Sequence, residues 1–252
     1  MVRDQPLRPA NMGNIVAINQ GRRPYTAAEP EVRLLSPEEA GERARGGAIL
    51  LDVRSGDAFG AGHVAGSLNV HAAHGSFEQW AGWILPPEGD VILVAEKPED
   101  ASLAARKLAF VGLDARARSY LLVPAWRDAG LPLAELQQID VTALEKRVTA
   151  ERIPVLDVRD DSEWNEGHVA SASHKSFKQL GQALDELPVE KDQEVAVMCA
   201  GGLRSVIASS ILRRAGYTRI LNVKGGMTAW RRAGLPAVTS RIVPGPGGSQ
   251  GV

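Results

Sequence analysis

Val195-Ala196-Val197-Met198-Cys199-Ala200-Gly201-Gly202-Leu203-Arg204-Ser205 reads as an apolar strand, a tight loop and the start of a helix. A thiol stands at the junction. Unpaired N–H groups at a helix start and the positive end of its dipole both favour a thiolate over a thiol. Arg204 adds a permanent cation nearby. A lone free cysteine is usually a buried, inert core residue. Two glycines and an arginine directly downstream argue against that here, because an inert thiol needs neither.

Outward from this stretch, the chain repeats itself. Leu51-Asp52-Val53-Arg54 recurs as Leu156-Asp157-Val158-Arg159, and Gly62-His63-Val64-Ala65 as Gly167-His168-Val169-Ala170. Ala125-Trp126-Arg127 and Gly130-Leu131-Pro132 recur as Ala229-Trp230-Arg231 and Gly234-Leu235-Pro236, at an offset one residue shorter. A period near one hundred residues is a duplicated domain and not a solenoid repeat. In the second copy, Ile153–Val158, Glu194–Cys199 and Ile220–Val223 read as strands. Phe177–Leu187, Ser205–Ala215 (stopped by Gly216) and Thr228–Ala233 read as helices. The alternation predicts an α/β fold, a mainly parallel sheet flanked by helices in each copy.

These motifs carry a family resemblance. Residues 199–205 resemble the active-site loop of a rhodanese (sulfurtransferase) domain, with the arginine five positions after the cysteine. Leu-Asp-Val-Arg (156–159), Glu-Trp-Asn-Glu-Gly-His-Val (163–169) and Asn-Val-Lys-Gly-Gly-Met-Thr-Ala-Trp (222–230) resemble further segments of the same family, in family order. The resemblance implies two tandem rhodanese-like domains, residues 31–133 and 138–236. It also implies a cysteine that accepts a sulfane sulfur as a persulfide and passes it to a nucleophile. Pro9-Ala10-Asn11-Met12-Gly13-Asn14-Ile15-Val16-Ala17-Ile18-Asn19 resembles the linker that follows the metallo-β-lactamase domain of persulfide dioxygenase–rhodanese fusions. That points to a persulfide dioxygenase or another sulfur-handling protein as a partner. Residues 1–30, which hold Pro6, Pro9, Pro24 and Pro30, read as an arm or linker. Residues 237–252 read as a flexible Pro/Gly-rich tail.

Aligning the copies puts Ala95 opposite Cys199 and Asp100 opposite Arg204. The first loop, Ala95-Glu96-Lys97-Pro98-Glu99-Asp100, has no thiol and is net negative. Pro98 also supplies no N–H to a cradle of backbone donors. The first copy therefore reads as catalytically inactive, a structural or docking partner. The same comparison weighs other residues. His63 holds the place of His168, so His168 reads as structural rather than as a general base. Asp52 and Arg54 mirror Asp157 and Arg159, which read as a buried pair organising the strand end. Trp126 and Trp230 read as core anchors. His71 and His74 share a spacing that fits one helix turn, but two ligands make a poor zinc site, so they read as solvated.

The expected site is Cys199 as nucleophile, with the N–H groups of Ala200, Gly201, Gly202, Leu203, Arg204 and Ser205 stabilising negative charge on the bound sulfur and the Arg204 guanidinium orienting the donor's anionic end. Ser205 either donates to the sulfur or caps the helix, and Lys224 is a further candidate for binding the donor. Phosphatase relatives of such loops have one more residue between cysteine and arginine, and this loop carries no acid to protonate a leaving group. Sulfur is therefore favoured over phosphate. A non-catalytic carrier or docking module is the alternative function. The chain has 252 residues, 44% of them hydrophobic and 23% charged, and a net charge of −1. Nothing in this balance points to nucleic acid or a membrane surface. A single cysteine excludes an internal disulfide framework and suits the cytoplasm. No metal or cofactor is expected, and the partners are a small-molecule sulfur donor and acceptor.

Overall fold

Short apolar runs alternating with amphipathic ones build two sheets. The computed structural model describes residues 8–22 and 30–239. After α1 (Met12–Asn19), the first half runs β1 (Arg33–Leu34), α2 (Pro37–Arg45), β2 (Ile49–Asp52), α3 (Gly56–Ala61), β3 (Leu68–Asn69), α4 (Phe77–Ile84), β4 (Val91–Ala95), α5 (Pro98–Ala109), β5 (Ser119–Leu122) and α6 (Val123–Asp128). The second half runs β6 (Gln137–Ile139), α7 (Val141–Ala150), β7 (Val155–Asp157), α8 (Asp161–Asn165), β8 (Ala172–His174), α9 (Phe177–Leu180), β9 (Val195–Met198), α10 (Leu203–Arg214), β10 (Ile220–Val223) and α11 (Gly226–Arg232).

Each sheet has five strands, in the orders β1-β5-β4-β2-β3 and β6-β10-β9-β7-β8, and every strand pair is parallel. The register equates the two halves residue by residue. Asp52 pairs with Val94 and Asp157 with Met198, so Ala95 and Cys199 are the next residues of equivalent strands. Central strands buried on both faces read as continuous apolar runs, and β4 and β9 are buried throughout.

The strand ends are organised alike in both halves. Arg159 donates through Nε and Nη2 to the Asp157 carboxylate and through Nη2 to the Gly167 carbonyl at 2.9 Å. Arg54 does the same with Asp52 and Gly62. Both pairs are buried, as the sequence implied. His63 stacks on Phe59 and His168 on Trp164, each with Nδ1 at 2.9 Å from the carbonyl of its stacking partner. One packing role in both halves supports the structural reading of His168. Trp230 is 1% exposed, while Trp126 is only half-buried; each indole N–H reaches a proline carbonyl, Pro236 and Pro132 respectively.

Several expectations change. The helix read over Phe177–Leu187 breaks after Leu180 and resumes only as a 3-10 turn at Leu184–Glu186, with Gly181 between. Within the arm, Met12–Asn19 is helical, and Asn11 and Asn14 donate to the carbonyls of Val111 and Gly112 beyond α5. Residues 1–7 and 23–29 of that arm lie outside the described residues. At the other end Val238 pairs with His168 in an antiparallel bridge, so the expected tail does not begin at 237. The rest of it, 240–252, lies outside the described residues. His71 and His74 sit in a turn, not a helix, and are half-buried; His74 stacks on Trp80 at 4.4 Å.

The halves meet around α10, which is buried continuously from Ser205 to Leu212. Its other side covers β3, the edge strand of the first sheet. There Ser210 Oγ accepts the Asn69 N–H at 3.0 Å and itself donates to the Ile207 carbonyl. A helix laid over an edge strand removes a template for unwanted pairing. One apolar cluster runs through the contact, including Leu51, Phe59 and Leu68 from the first half and Val206, Ile207 and Ile211 from α10. At its rim Trp80 meets Phe177 edge-on at 6.4 Å, and Lys178 lies over Trp83.

Gly56, at the start of α3, lies tight against α10, because a Cβ there would lie 3.0 Å from Val206 Cγ2. Gly56→Val is expected to destabilise the protein by about 1–3 kcal/mol through overpacking. Urea unfolding reads this, and Val206→Ala in the same chain is expected to recover part of the loss.

Candidate active site

The loop from Cys199 to Gly202 joins β9 to α10. Gly202 is the N-cap of α10 in the left-handed region (φ 98°), a backbone conformation that costs glycine little. There its N–H points back and donates to Cys199 Sγ at 3.0 Å. Ser205 Oγ lies 3.5 Å from the same sulfur. Ser205 is therefore not the helix cap: it stands in the first turn, fully buried, facing the thiol. Cys199 itself is 1% exposed.

The outward side of the loop is held by α11. The N–H groups of Met227 and Thr228 donate to the carbonyls of Cys199 and Ala200 at 2.8 and 2.9 Å. Those two carbonyls are drawn to a helix N-terminus, which satisfies donors left unpaired there. Gly226 allows the approach: a Cβ on it would lie 2.1 Å from the Cys199 carbonyl oxygen. The first half has Leu121-Leu122 where this half has Gly225-Gly226.

Arg204 is held by a carboxylate. Its Nη1 and Nη2 donate to the two carboxylate oxygens of Glu163, both at 2.7 Å. The guanidinium assigned to the donor's anionic end thus already has a carboxylate partner. Glu163 also accepts the Asp160 N–H, closing a capping box at the start of α8. Arg204 therefore ties the loop to α8. Its neighbour raises its pKa, the Glu163 hydrogen bond being the largest cause, and the same bond holds the Glu163 carboxyl below its ordinary value. The sequence reading missed Glu163. A signal was available, since the first half lacks both partners, with Ala58 opposite Glu163 and Asp100 opposite Arg204.

Gly201, Gly202 and Leu203 line a cleft of about 440 Å³. Lys224 lines it too, 58% exposed at its side chain, and Asn222 packs at its base with Nδ2 donating to Gln138 Oε1 at 2.8 Å. The opposite wall comes from the first half: Ser55, Gly56, Asp57 and His71. Loop motifs gave no hint of that wall. A larger apolar cleft of about 480 Å³, between Trp83, Phe177 and Ile211, holds none of the loop residues.

Residues 140–233 match the family model described as a rhodanese-like domain. The chain is 34% identical over 104 residues to a sulfurtransferase of Allochromatium vinosum, a match covering 41% of this chain and 95% of that one. The chain belongs to the rhodanese-like family. It is 32% identical over 102 residues to the thiosulfate sulfurtransferase GlpE of Vibrio cholerae, covering 40% of this chain and 94% of that protein. Among solved structures, a rhodanese-related protein of Thermoplasma volcanium is 32% identical, covering 41% of this chain and 99% of that one, with a TM-score of 0.38. Within this rhodanese-like chain, no cluster of His, Cys, Asp and Glu that could hold a metal occurs among the described residues. No helix among them is long and apolar enough to cross a membrane.

A carboxyl whose folded pKa is lowered contributes stability above its unfolded value and loses it as pH falls through the folded one. The Glu163–Arg204 tie should therefore hold at neutral pH and be released only as the pH falls below the ordinary glutamate range. Glu163→Gln is expected to lower stability at pH 7 by about 1–3 kcal/mol, the worth of hydrogen bonds to a charged group. It should also flatten the acid limb of stability against pH, read by urea unfolding from pH 3 to pH 7 at about one-unit steps.

Proposed function

We propose that this chain is a sulfurtransferase that carries sulfane sulfur as a persulfide on Cys199. The observation that carries the reading is the Gly202 N–H aimed at Sγ from 3.0 Å, with the Ser205 hydroxyl on the same atom. Donors fixed on a sulfur before reaction stabilise negative charge there without reorganising. The named relatives, two of them sulfurtransferases, support the same class.

The proposed reaction has two half-steps. The Cys199 thiolate attacks the outer sulfur of a donor such as thiosulfate or a small persulfide. The new S–S bond forms as the donor's old bond breaks, and sulfite or a thiolate leaves with the electron pair. An acceptor nucleophile then attacks the outer sulfur of the Cys199 persulfide. Thiol, sulfite or cyanide becomes persulfide, thiosulfate or thiocyanate, and the Cys199 thiolate returns. In this scheme Ser205 and the loop N–H groups hold charge on sulfur, while Arg204 acts as a positioning residue through Glu163. Residues 138–236 form the working copy and 31–133 the copy without a nucleophile. The thiol chemistry fits a reducing compartment.

Intact mass after exposure to thiosulfate tests this. One added sulfur atom is expected, lost on addition of cyanide and absent in Cys199→Ser. No added sulfur from thiosulfate or glutathione persulfide would overturn the reading. Ser205→Ala is expected to slow turnover about 10-fold, as for loss of one hydrogen bond to a charged group.

A further inference from the structure

The cleft at the cysteine loop is built by both halves, and its charged side chains come one from each. Asp57 of α3 is 88% exposed at its side chain, and its Oδ1 lies 4.0 Å from Lys224 Nζ. His71 lines the same cleft. Desolvation, with the neighbouring His74 and Lys107 adding to it and Asp100 opposing it, holds its pKa below the ordinary value. That direction disfavours an imidazolium there. Arg204 is occupied by Glu163. What a ligand meets is one carboxylate and one ammonium, side by side and both in water's reach.

A neighbouring pair of opposite charges discriminates by charge pattern. A ligand of one sign gains from one partner and loses to the other, so the two contributions nearly cancel. A ligand bearing both signs a few ångströms apart can lie antiparallel to the pair and gain from both. An α-amino acid carries its ammonium and carboxylate on one carbon, a separation that suits partners 4.0 Å apart. Thiosulfate, a compact dianion, meets Asp57 as well as Lys224.

We propose that Asp57, from the copy without a cysteine, is a specificity-determining residue: with Lys224 it selects a zwitterionic, amino-acid-type thiol as the sulfur acceptor. The inference rests on the transfer reading above. In the step concerned, the acceptor thiolate attacks the outer sulfur of the Cys199 persulfide and its S–S bond forms. The bond to Sγ breaks, the Cys199 thiolate leaves with the electron pair, and the proton on the outer sulfur stays with the product persulfide. No oxidant or reductant enters.

Four thiols differing in charge test it on the sulfur-loaded protein at pH 7: free L-cysteine (both signs), cysteamine (cation), 3-mercaptopropionate (anion) and 2-mercaptoethanol (neutral). Each rate is normalised to 2-mercaptoethanol and expressed as variant over unaltered protein, which removes the thiols' own reactivity. Asp57→Asn is expected to lower the value for cysteine and cysteamine about 3-fold and to raise it for 3-mercaptopropionate, the scale of one exposed charge pair. Lys224→Gln should lower it for cysteine and 3-mercaptopropionate and raise it for cysteamine. Added salt should shrink all of these differences. Equal values for all the thiols in Asp57→Asn would overturn the inference.

A second readout needs no sulfur transfer. Cys199 is the chain's one cysteine, and its Sγ accepts the N–H of Gly202, which lines the cleft. Its rates with cationic and anionic methanethiosulfonates are therefore expected to read the charge there. Asp57→Asn should shift the cation-to-anion ratio about 3-fold toward the anion. An unchanged ratio overturns the inference even in a protein that loads sulfur. A shifted ratio in a protein that loads none supports the charged mouth and removes the transfer reading instead.

Discussion

Helix α10 is buried on every side along its middle, and the rest of the molecule is arranged around that fact. Its equivalent in the first half, α5, buries one stripe of alanines and Leu108 and leaves the other face to water. An amphipathic helix needs one partner, whereas a helix without a polar face needs cover all round. The second sheet supplies one side and β3 of the first sheet the other. Small side chains at Ser205, Ser209 and Ser210 let both approach, and Ser210 also completes the hydrogen bonding of the strand edge. The helix that presents the cysteine loop is thus the same one that joins the halves.

This placement explains how a short loop keeps the Gly202 N–H on the sulfur. Three contacts fix it from different elements: α11 holds the carbonyls of Cys199 and Ala200, Gly202 begins the buried helix, and Arg204 ties the first turn to α8 through Glu163. None of the three has its counterpart residue in the first half, where Leu122, Pro98, Asp100 and Ala58 stand instead of Gly226, Gly202, Arg204 and Glu163. The loss of the thiol there is accompanied by loss of the scaffold that would aim donors at it.

Much of this was legible in the sequence because parallel strands announce themselves. β10 falls where its apolar run does, at Ile220–Val223, and the Asp–Arg pairs could be read from their recurrence in both copies. What was not legible depends on tertiary partners. The helix expected through Phe177–Leu187 has the right periodicity, but Gly181 follows Leu180 and no regular α-turn spans the gap. Arg204 looked free for an anion because its acid lies 41 residues earlier in the chain. Asp57 and His71 carry no motif; only the docking of one half on the other brings them to the cleft.

The first half is therefore retained by packing whether or not it does any chemistry. Without it, Val206 would lose its packing against Gly56, and Ser210 would lose the strand it caps. A duplicated domain that has lost its nucleophile is often regarded as a relic free to decay. Here the half without a cysteine is a wall that the other half cannot shed in a single step. Its side chains in the cleft, Ser55, Asp57 and His71, can therefore vary while the residues around the thiol stay untouched.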